Sequence, residues 1–374
     1  MNFAFTEEQI QLRETLRRFL TQTYTLERRR AIARAGAGCD PAIWQQFAEL
    51  GILGLAIPES LGGIGGEAFD AMVVMEELGR SLVLEPYLST ALVAAGILAR
   101  AGSARQQPLL RAVAGGEIRL AFAHEERDSR WRLEAVTTRA VRESVGWVLE
   151  GHKSMVADGA GAHYLVISAR STSGICLFLL PGGLEGMTRS AVATHDGSSV
   201  AEIRLAGVRV PADALLGPEG GGLPLIEAAS DVAIAGLCAE AVGAMDALLA
   251  LTLEYVKNRK QFGVPIGSFQ ALQHRMADML LHAELARSMS YLATAKLDVS
   301  DVTERRRAIC AAKFLVGRSA RFVGQEAVQL HGGMGVSDEV ATSHYFKRLT
   351  LINASFGDMG HHLERFGSMM AEMS

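Results

Sequence analysis

The sequence predicts an α+β fold in three parts: an N-terminal helical domain, a central β domain and a C-terminal helical bundle. Three observations support this prediction. Apolar residues recur at helical spacing near the N-terminus, short apolar runs bounded by Gly, Asp and Ser fill the middle, and long helical patterns follow to the end. We therefore expect domains at residues 1–116, 117–221 and 222–374.

The N-terminal part contains several helical patterns. Thr6 opens the first helix in the order of a capping box, and Ile10 and Leu16 begin its apolar face. A glycine-rich loop lies between the second and third helices. The further helices are predicted at Ile43–Leu50, Asp70–Gly79 and Leu88–Ala101.

The middle of the chain is predicted to form strands, and the remainder long helices. The predicted strands are Arg119–His124, Trp147–Gly151, Tyr164–Ser168, Ile175–Leu180 and Ala201–Leu205. A turn-rich segment, Val208–Gly222, leads out of them. The predicted C-terminal helices are 224–258, 268–298, 303–330 and a last pair after Ser337. Their apolar faces favour a bundle that continues across a subunit interface.

The segment from Arg259 to Gly263 is the most informative motif of the chain. A helix that starts near Gly222 ends there, and we expect the next helix to begin after Ser268 as its N-cap. The break between the two helices follows from Gly263, Pro265 and Gly267. Such a corner suits a diphosphate, because Arg binds phosphate through two hydrogen bonds and a helix start offers free N–H groups. The alternative is an ordinary helix turn with a surface Arg.

Composition excludes several classes of protein. The 374 residues carry a net charge of −4, so nothing predicts nucleic-acid binding. Four scattered cysteines lack the spacing of a metal site or disulfide framework, and we expect them to be buried and reduced. The N-terminus lacks the apolar region of a signal peptide, and no run approaches 18 apolar residues. We expect a soluble, cytoplasmic protein without membrane insertion.

Several motifs together resemble the acyl-CoA dehydrogenase family. They are FTEEQIQLRETLRRFL at the start, LGILGLAIPESLGGIGG, RKQFG with FQALQ after it, and QLHGGMG about sixty residues later. The resemblance implies the same three-part fold, with a central β-barrel or sandwich domain and a C-terminal four-helix bundle. It also implies a homo- or heterotetramer and bound FAD. It also implies an oxidoreductase that removes the α and β hydrogens of an acyl-CoA thioester. An electron-transfer flavoprotein would accept the electrons.

The resemblance also implies which residues hold the cofactor. In this family the ADP half of FAD is bound by a neighbouring subunit. Arg259 would pair with the diphosphate, and Phe262 would pack on the adenosine side. Gln329 would form a hydrogen bond with the cofactor. The matching positions are Arg259, Phe262, Gln270, Gln329, Gly332, Gly333 and Gly335. The glycines would allow close approach of the backbone.

The positions that face the flavin ring depart from the family pattern. Met155 stands where the family has a stacking Trp, and Ala157 where it has a Thr near the flavin N5 atom. The segment from His124 to Trp131 also differs from the family motif. Trp131 is a possible substitute for the stacking ring, although its spacing does not match.

The catalytic base is also missing from its usual positions. Ser355 occupies the position of the family's glutamate, and a serine hydroxyl does not remove an α-proton unaided at neutral pH. The alternative base position of some members falls near Ala233. Asp358 is a candidate displaced base, and its alternative role is the N-cap of the last helix. Glu227 and Asp231 are expected on the solvated surface.

This asymmetry predicts a non-catalytic subunit of an α2β2 acyl-CoA dehydrogenase. The half of the flavin site presented to a neighbour is intact, while the half used by this subunit is lost. Such a chain resembles the small subunits that act in the breakdown of steroid side chains and of dicarboxylic acids such as pimelate. A homologous catalytic subunit would supply the isoalloxazine pocket and the glutamate. Two alternatives remain: an active homotetramer with a displaced base, and a flavin-free scaffold or binding protein.

Overall fold

A computed structural model describes residues 5–36 and 38–371 of the chain. Helices occupy both ends and strands the middle, so the predicted α+β fold is confirmed. Contacts group the chain into two compact units: residues up to Arg29 with 68–83 and 234 onwards, and residues 30–67 with 84–233. The predicted domain boundaries stay a prediction, and residues 1–4, 37 and 372–374 of those domains lie outside the described part.

The N-terminal helices follow the predicted order. Thr6 forms the predicted capping box, because its hydroxyl accepts from Gln9 N and the Gln9 side chain accepts from Thr6 N. The sequence did not predict the arginine-rich helix at Leu26–Ala35. The helices are α1 Glu7–Thr23, α2 Leu26–Ala35, α3 Pro41–Glu49, α4 Ala68–Arg80, the π-helical turn Leu88–Ala94, α5 Ala95–Ala101 and α6 Leu109–Ala114.

The central strands form one eight-stranded sheet. They are β1 Leu120–Ala123, β2 Arg139–Glu143, β3 Gly146–Ala157, β4 Tyr164–Ser171, β5 Gly174–Pro181, β6 Met187–Ala193, β7 Ser199–Pro211 and β8 Leu215–Leu216. The strand order is β6-β7-β3-β2-β4-β5-β8, and β1 pairs in parallel with β4. Trp147 and Phe178 meet edge to face in the core of this sheet, with ring centroids 5.4 Å apart. The sequence did not predict β2 and β6, because their residues are mostly exposed and carry little apolar signal.

The C-terminal helices are close to their predicted ranges. They are α7 Gly222–Asn258, α8 Gln270–Lys296, α9 Val302–His331, α10 Ala341–Ala354 and α11 Met359–Ala371. Helix α9 packs against α8, α10 and α11. Between α7 and α8, a two-stranded hairpin pairs β9 Lys260–Gln261 with β10 Val264–Pro265. The predicted N-cap Ser268 is wrong: Phe269 occupies the cap position, and the Ser268 hydroxyl donates to Pro265 O at 2.7 Å.

Helix α7 is long and apolar enough to cross a membrane, by length and composition alone. However, 78% of its most apolar 18-residue window is buried inside the protein, as expected of a core helix. Its crossing with α4 is close. A Cβ atom added at Gly243 would lie 1.8 Å from Glu76 O, and one added at Gly79 would lie 2.0 Å from Glu240 O. Glycines at both positions therefore allow the two helix backbones to touch.

Candidate functional site

The corner between α7 and α8 is a tight hairpin. Arg259 follows the last residue of α7, and its N–H still donates to Tyr255 O at 2.8 Å. The two central residues of the turn, Phe262 and Gly263, have φ values of +55° and +81°. Positive φ at both central positions is typical of a type I′ turn, which matches the twist of paired strands. Ile266 N closes the corner by donating to Arg259 O at 2.8 Å.

Phe262 is unusual in conformation and in exposure. An aromatic residue with positive φ is strained, at a cost of about 1–3 kcal/mol. Its side chain is nevertheless 90% exposed, and its only described ring contact is an edge-to-face contact with Phe269 at 6.1 Å. Strained residues of this kind cluster at binding and active sites. The turn accounts for the positive φ, whereas packing within the described part of this chain does not account for the exposed ring.

The remaining predicted cofactor residues are also exposed, except Gly335, which is buried. The Arg259 guanidinium makes no hydrogen bond or ion pair with any residue that the structure describes, and Gln270 and Gln329 lie at the surface. A Cβ atom added at Gly332 or Gly333 would meet no atom within 4 Å. Packing therefore does not require glycine at Gly333, and its backbone is open to another molecule.

One contact that the sequence did not predict joins the two segments of the site. The Tyr255 ring stacks on the His331 ring with centroids 4.3 Å apart, and the Tyr255 hydroxyl donates to His331 O at 3.3 Å. Tyr255 lies one helical turn before Arg259, and His331 directly precedes Gly332. The contact therefore brings the Arg259 corner and the glycine turn together. The two residues are 76 positions apart in the sequence, so a short motif could not have predicted their contact.

The predicted flavin-facing positions lie on β3. Its pairing with β7 shifts register between Lys153 and Val156, which marks a β-bulge. Within this bulge Met155 has a φ of +54° and is 50% exposed, and Ala157 is exposed as well. Neither side chain offers an aromatic ring or a hydrogen-bond donor. Trp131 lies on the loop between β1 and β2, with a φ of +63°.

A buried ion pair adjoins this bulge. Lys153 is fully buried, and its ammonium donates to a Glu126 carboxylate oxygen at 2.6 Å and to Ser168 Oγ at 2.9 Å. Thr137 and Thr138 donate to the same carboxylate through their backbone N–H and hydroxyl groups. Burial alone would raise the pKa of Glu126. The charge of Lys153 and these hydrogen bonds outweigh burial and lower the pKa to about 2.

The predicted base positions hold groups that are already engaged in local structure. The Ser355 hydroxyl donates to Leu351 O at 2.9 Å. An Asp358 carboxylate oxygen accepts from His361 N at 2.8 Å, which is the N-cap geometry of α11. Ala233 is fully buried in α7.

The expectation of a solvated Asp231 is wrong. Asp231 is 6% exposed, and Glu227 is partly buried. Helix α7 is surrounded by protein along most of its length, so polar residues near its start do not reach open solvent as they would on a surface helix.

All four cysteines are free and buried, as the sequence predicted. Burial raises the pKa of Cys39 and of Cys238 to about 12, so these thiols stay protonated. No group of three or more His, Cys, Asp or Glu residues in the described part of the chain is placed to hold a metal ion.

Comparison with known proteins decides the family. The family described as "Acyl-CoA dehydrogenase, N-terminal domain" matches residues 6–117, and "Acyl-CoA dehydrogenase, C-terminal domain" matches residues 220–366. The acyl-CoA dehydrogenase IpdE2 of Mycobacterium tuberculosis is 33% identical, over 91% of this chain and 91% of its own length. This chain belongs to the acyl-CoA dehydrogenase family.

One further relative and two solved structures match over nearly their whole length. The acyl-CoA dehydrogenase FadE27 of Mycobacterium tuberculosis is 28% identical over 100% of this chain and 99% of its own. A variant of the Tcur3481-Tcur3483 steroid ACAD is 31% identical with a TM-score of 0.90, covering 98% of each chain. A chain in the structure of the ChsE4-ChsE5 complex from Mycobacterium tuberculosis is 27% identical with a TM-score of 0.90, and the match covers 100% of this chain and 99% of that chain.

Proposed function

We propose that this chain is a non-catalytic subunit of an α2β2 acyl-CoA dehydrogenase and supplies the half-site for the ADP end of FAD. We define this half-site as Arg259, Phe262, Gln270, Gln329 and Gly332–Gly333. One observation carries the proposal. The half-site is open and exposed, whereas Ser355, Met155 and Ala157 leave this chain without a base and without ring or donor contacts for its own flavin.

The half-site residues fit the negatively charged end of the cofactor. The Arg259 guanidinium has no partner among the described residues, so binding a diphosphate would not first require breaking an ion pair. Phe262 offers an exposed aromatic surface next to this cation, and Gly332–Gly333 offers exposed backbone. When bound, FAD would supply the acceptor for the hydride that leaves the acyl-CoA β-carbon. The Arg259 side chain would hold the diphosphate and orient the cofactor toward the partner subunit.

The partner subunit would supply the isoalloxazine pocket and the glutamate base. The similarity to two-component complexes such as Tcur3481-Tcur3483 and ChsE4-ChsE5 supports a homologous partner. We propose a bulky acyl-CoA as substrate, of the steroid side-chain type or a dicarboxylic acyl group, since the first of these neighbours is a steroid ACAD. An electron-transfer flavoprotein would accept the electrons, and the complex would be cytoplasmic.

Purification of the chain alone and with a co-expressed homologous subunit tests the proposal. We expect the isolated chain to be colourless and inactive, and the complex to be yellow, with one FAD per two chains by absorbance. A yellow isolated chain that reduces an artificial acceptor with an acyl-CoA would show an active homo-oligomer instead. If the partner subunit alone has the same activity and flavin content as the complex, this chain would be a scaffold.

Variants of Asp358 distinguish its role as an N-cap from the alternative role of a displaced base. We expect Asp358→Ala to lower the free energy of unfolding by about 1 kcal/mol, because α11 loses its N-cap. Asp358→Asn should restore most of this stability, since Asn is an equally good cap. Thermal unfolding measures both effects. Dehydrogenation by the complex should be unchanged in the two variants, and a loss of turnover in Asp358→Asn at unchanged stability would contradict the cap assignment.

A further inference from the structure

The Tyr255–His331 contact joins the two chain segments that carry the half-site. Tyr255 O accepts from Arg259 N at 2.8 Å, so Arg259 is fixed to the same helical turn as the tyrosine ring. On the other side, His331 O accepts from the Tyr255 hydroxyl and belongs to the peptide that leads into Gly332. Gly332 has a φ of +59° and caps α9. One side chain therefore connects the cationic corner to the glycine turn.

The His331 ring is itself fixed in orientation. Its Nδ1 lies 2.8 Å from Ala327 O, and its Nε2 lies 3.2 Å from Thr342 Oγ1. Because a carbonyl oxygen only accepts, Nδ1 carries the proton, and Nε2 of the neutral ring accepts from the Thr342 hydroxyl. Burial lowers the pKa of His331, which favours this neutral form. His331 is 3% exposed, and both ring nitrogens have partners, so its ring is held in place beneath the stacked Tyr255 ring.

The glycine turn folds tightly over this platform. A Cβ atom at Gly335 would lie 2.6 Å from Val328 O and 3.1 Å from the His331 Cβ atom. Gly335 therefore has no room for a side chain, in contrast to Gly332 and Gly333, whose Cβ positions are open. Packing within the chain thus explains the glycine at Gly335 but not the glycine at Gly333.

We propose that Tyr255 and His331 are positioning residues that set the distance between the Arg259 guanidinium and the Gly332–Gly333 backbone, and so tune the affinity for the diphosphate end of FAD. The proposal rests on the proposed function of the half-site. Neither residue needs to touch the cofactor. Two groups that bind one ligand lose affinity when their spacing changes, even though each group remains present.

A double-mutant cycle tests this role on the complex with its homologous subunit. We expect Tyr255→Leu to raise the FAD dissociation constant about tenfold, because the Arg259 corner loses its connection to the glycine turn. In an Arg259→Ala background the same change should raise it by less than about twofold, since the group being positioned is gone. Tyr255→Phe keeps the stacked ring and removes only the hydroxyl bond. It should therefore raise the FAD dissociation constant by more than about twofold and less than about tenfold. Equilibrium dialysis with FAD, well below the unfolding temperature, measures each constant.

Tyr345→Leu is the matched control. The Tyr345 hydroxyl also donates to a backbone carbonyl, Arg80 O at 2.5 Å, and Arg80 lies on α4, outside the half-site. It should lower the unfolding temperature without changing the FAD dissociation constant. Equal effects of Tyr255→Leu with and without Arg259 would overturn the positioning role, and the Tyr255→Phe cycle decides the question if Tyr255→Leu does not assemble. If Arg259→Ala alone leaves FAD binding unchanged, the half-site itself is refuted.

Discussion

Arg259→Ala is expected to weaken FAD binding by the complex roughly ten- to hundred-fold. A charge-assisted contact of this kind contributes about 1.5–3 kcal/mol, and about 1.4 kcal/mol corresponds to tenfold in affinity. The Arg259 side chain has no partner within the described chain, so its loss should leave the fold unchanged. The effect should therefore appear in the FAD dissociation constant and not in the unfolding temperature.

Lys257→Ala is the control for the loss of charge. Lys257 is exposed two residues before Arg259, and its ammonium lies 3.4 Å from an exposed Glu254 carboxylate oxygen. Its removal changes the net charge by the same amount, but the side chain belongs to the end of α7 and not to the half-site. We expect less than a threefold change in FAD affinity, as is usual for an exposed ion pair. An equal loss in both variants would indicate a general electrostatic effect and would argue against a specific diphosphate contact.

Glu126→Gln is expected to lower the free energy of unfolding by about 3–5 kcal/mol, because it leaves the fully buried Lys153 ammonium without a counter-charge. Urea unfolding at pH 7 measures the loss. Asp213→Asn is the control: it breaks the exposed ion pair with Arg105 and should change stability by about 1 kcal/mol or less. The double variant Glu126→Gln with Lys153→Met should cost less than the sum of its parts, since the unpaired charge is removed.

The same carboxylate predicts a dependence of stability on pH. The pKa of Glu126 is about 2 in the folded chain, below the value of 4.5 for a free glutamate. Its contribution to stability is therefore complete above about pH 4.5 and is lost as the pH falls toward 2. Between these pH values the stability of the unmodified chain should fall more steeply than that of Glu126→Gln. Parallel slopes would show that Glu126 is not held in its charged form.

Local sequence patterns determined most of the elements. The capping box at Thr6 and the apolar spacing of the long helices were sufficient to place them, because helices are stabilised by contacts between residues three or four positions apart. Buried strands were recognised through their short apolar runs. Exposed strands were not: β2 and β6 owe their conformation to partner strands and carry little signal of their own. The prediction of Ser268 as an N-cap was wrong because its hydroxyl donates a hydrogen bond to the preceding Pro265 O.

The sequence by itself determined the family resemblance and the residues of the proposed half-site, since its motifs are short and continuous. Their role stays a prediction for the FAD-binding experiments. Tertiary structure alone decided how the motifs are held together. Tyr255 meets His331 across 76 positions, and Lys153 meets Glu126 across 27. Burial of Asp231 likewise depends on the protein packed around α7. Contacts of this kind leave no periodic trace in the chain, because they depend on where distant elements meet and not on the order of neighbouring residues.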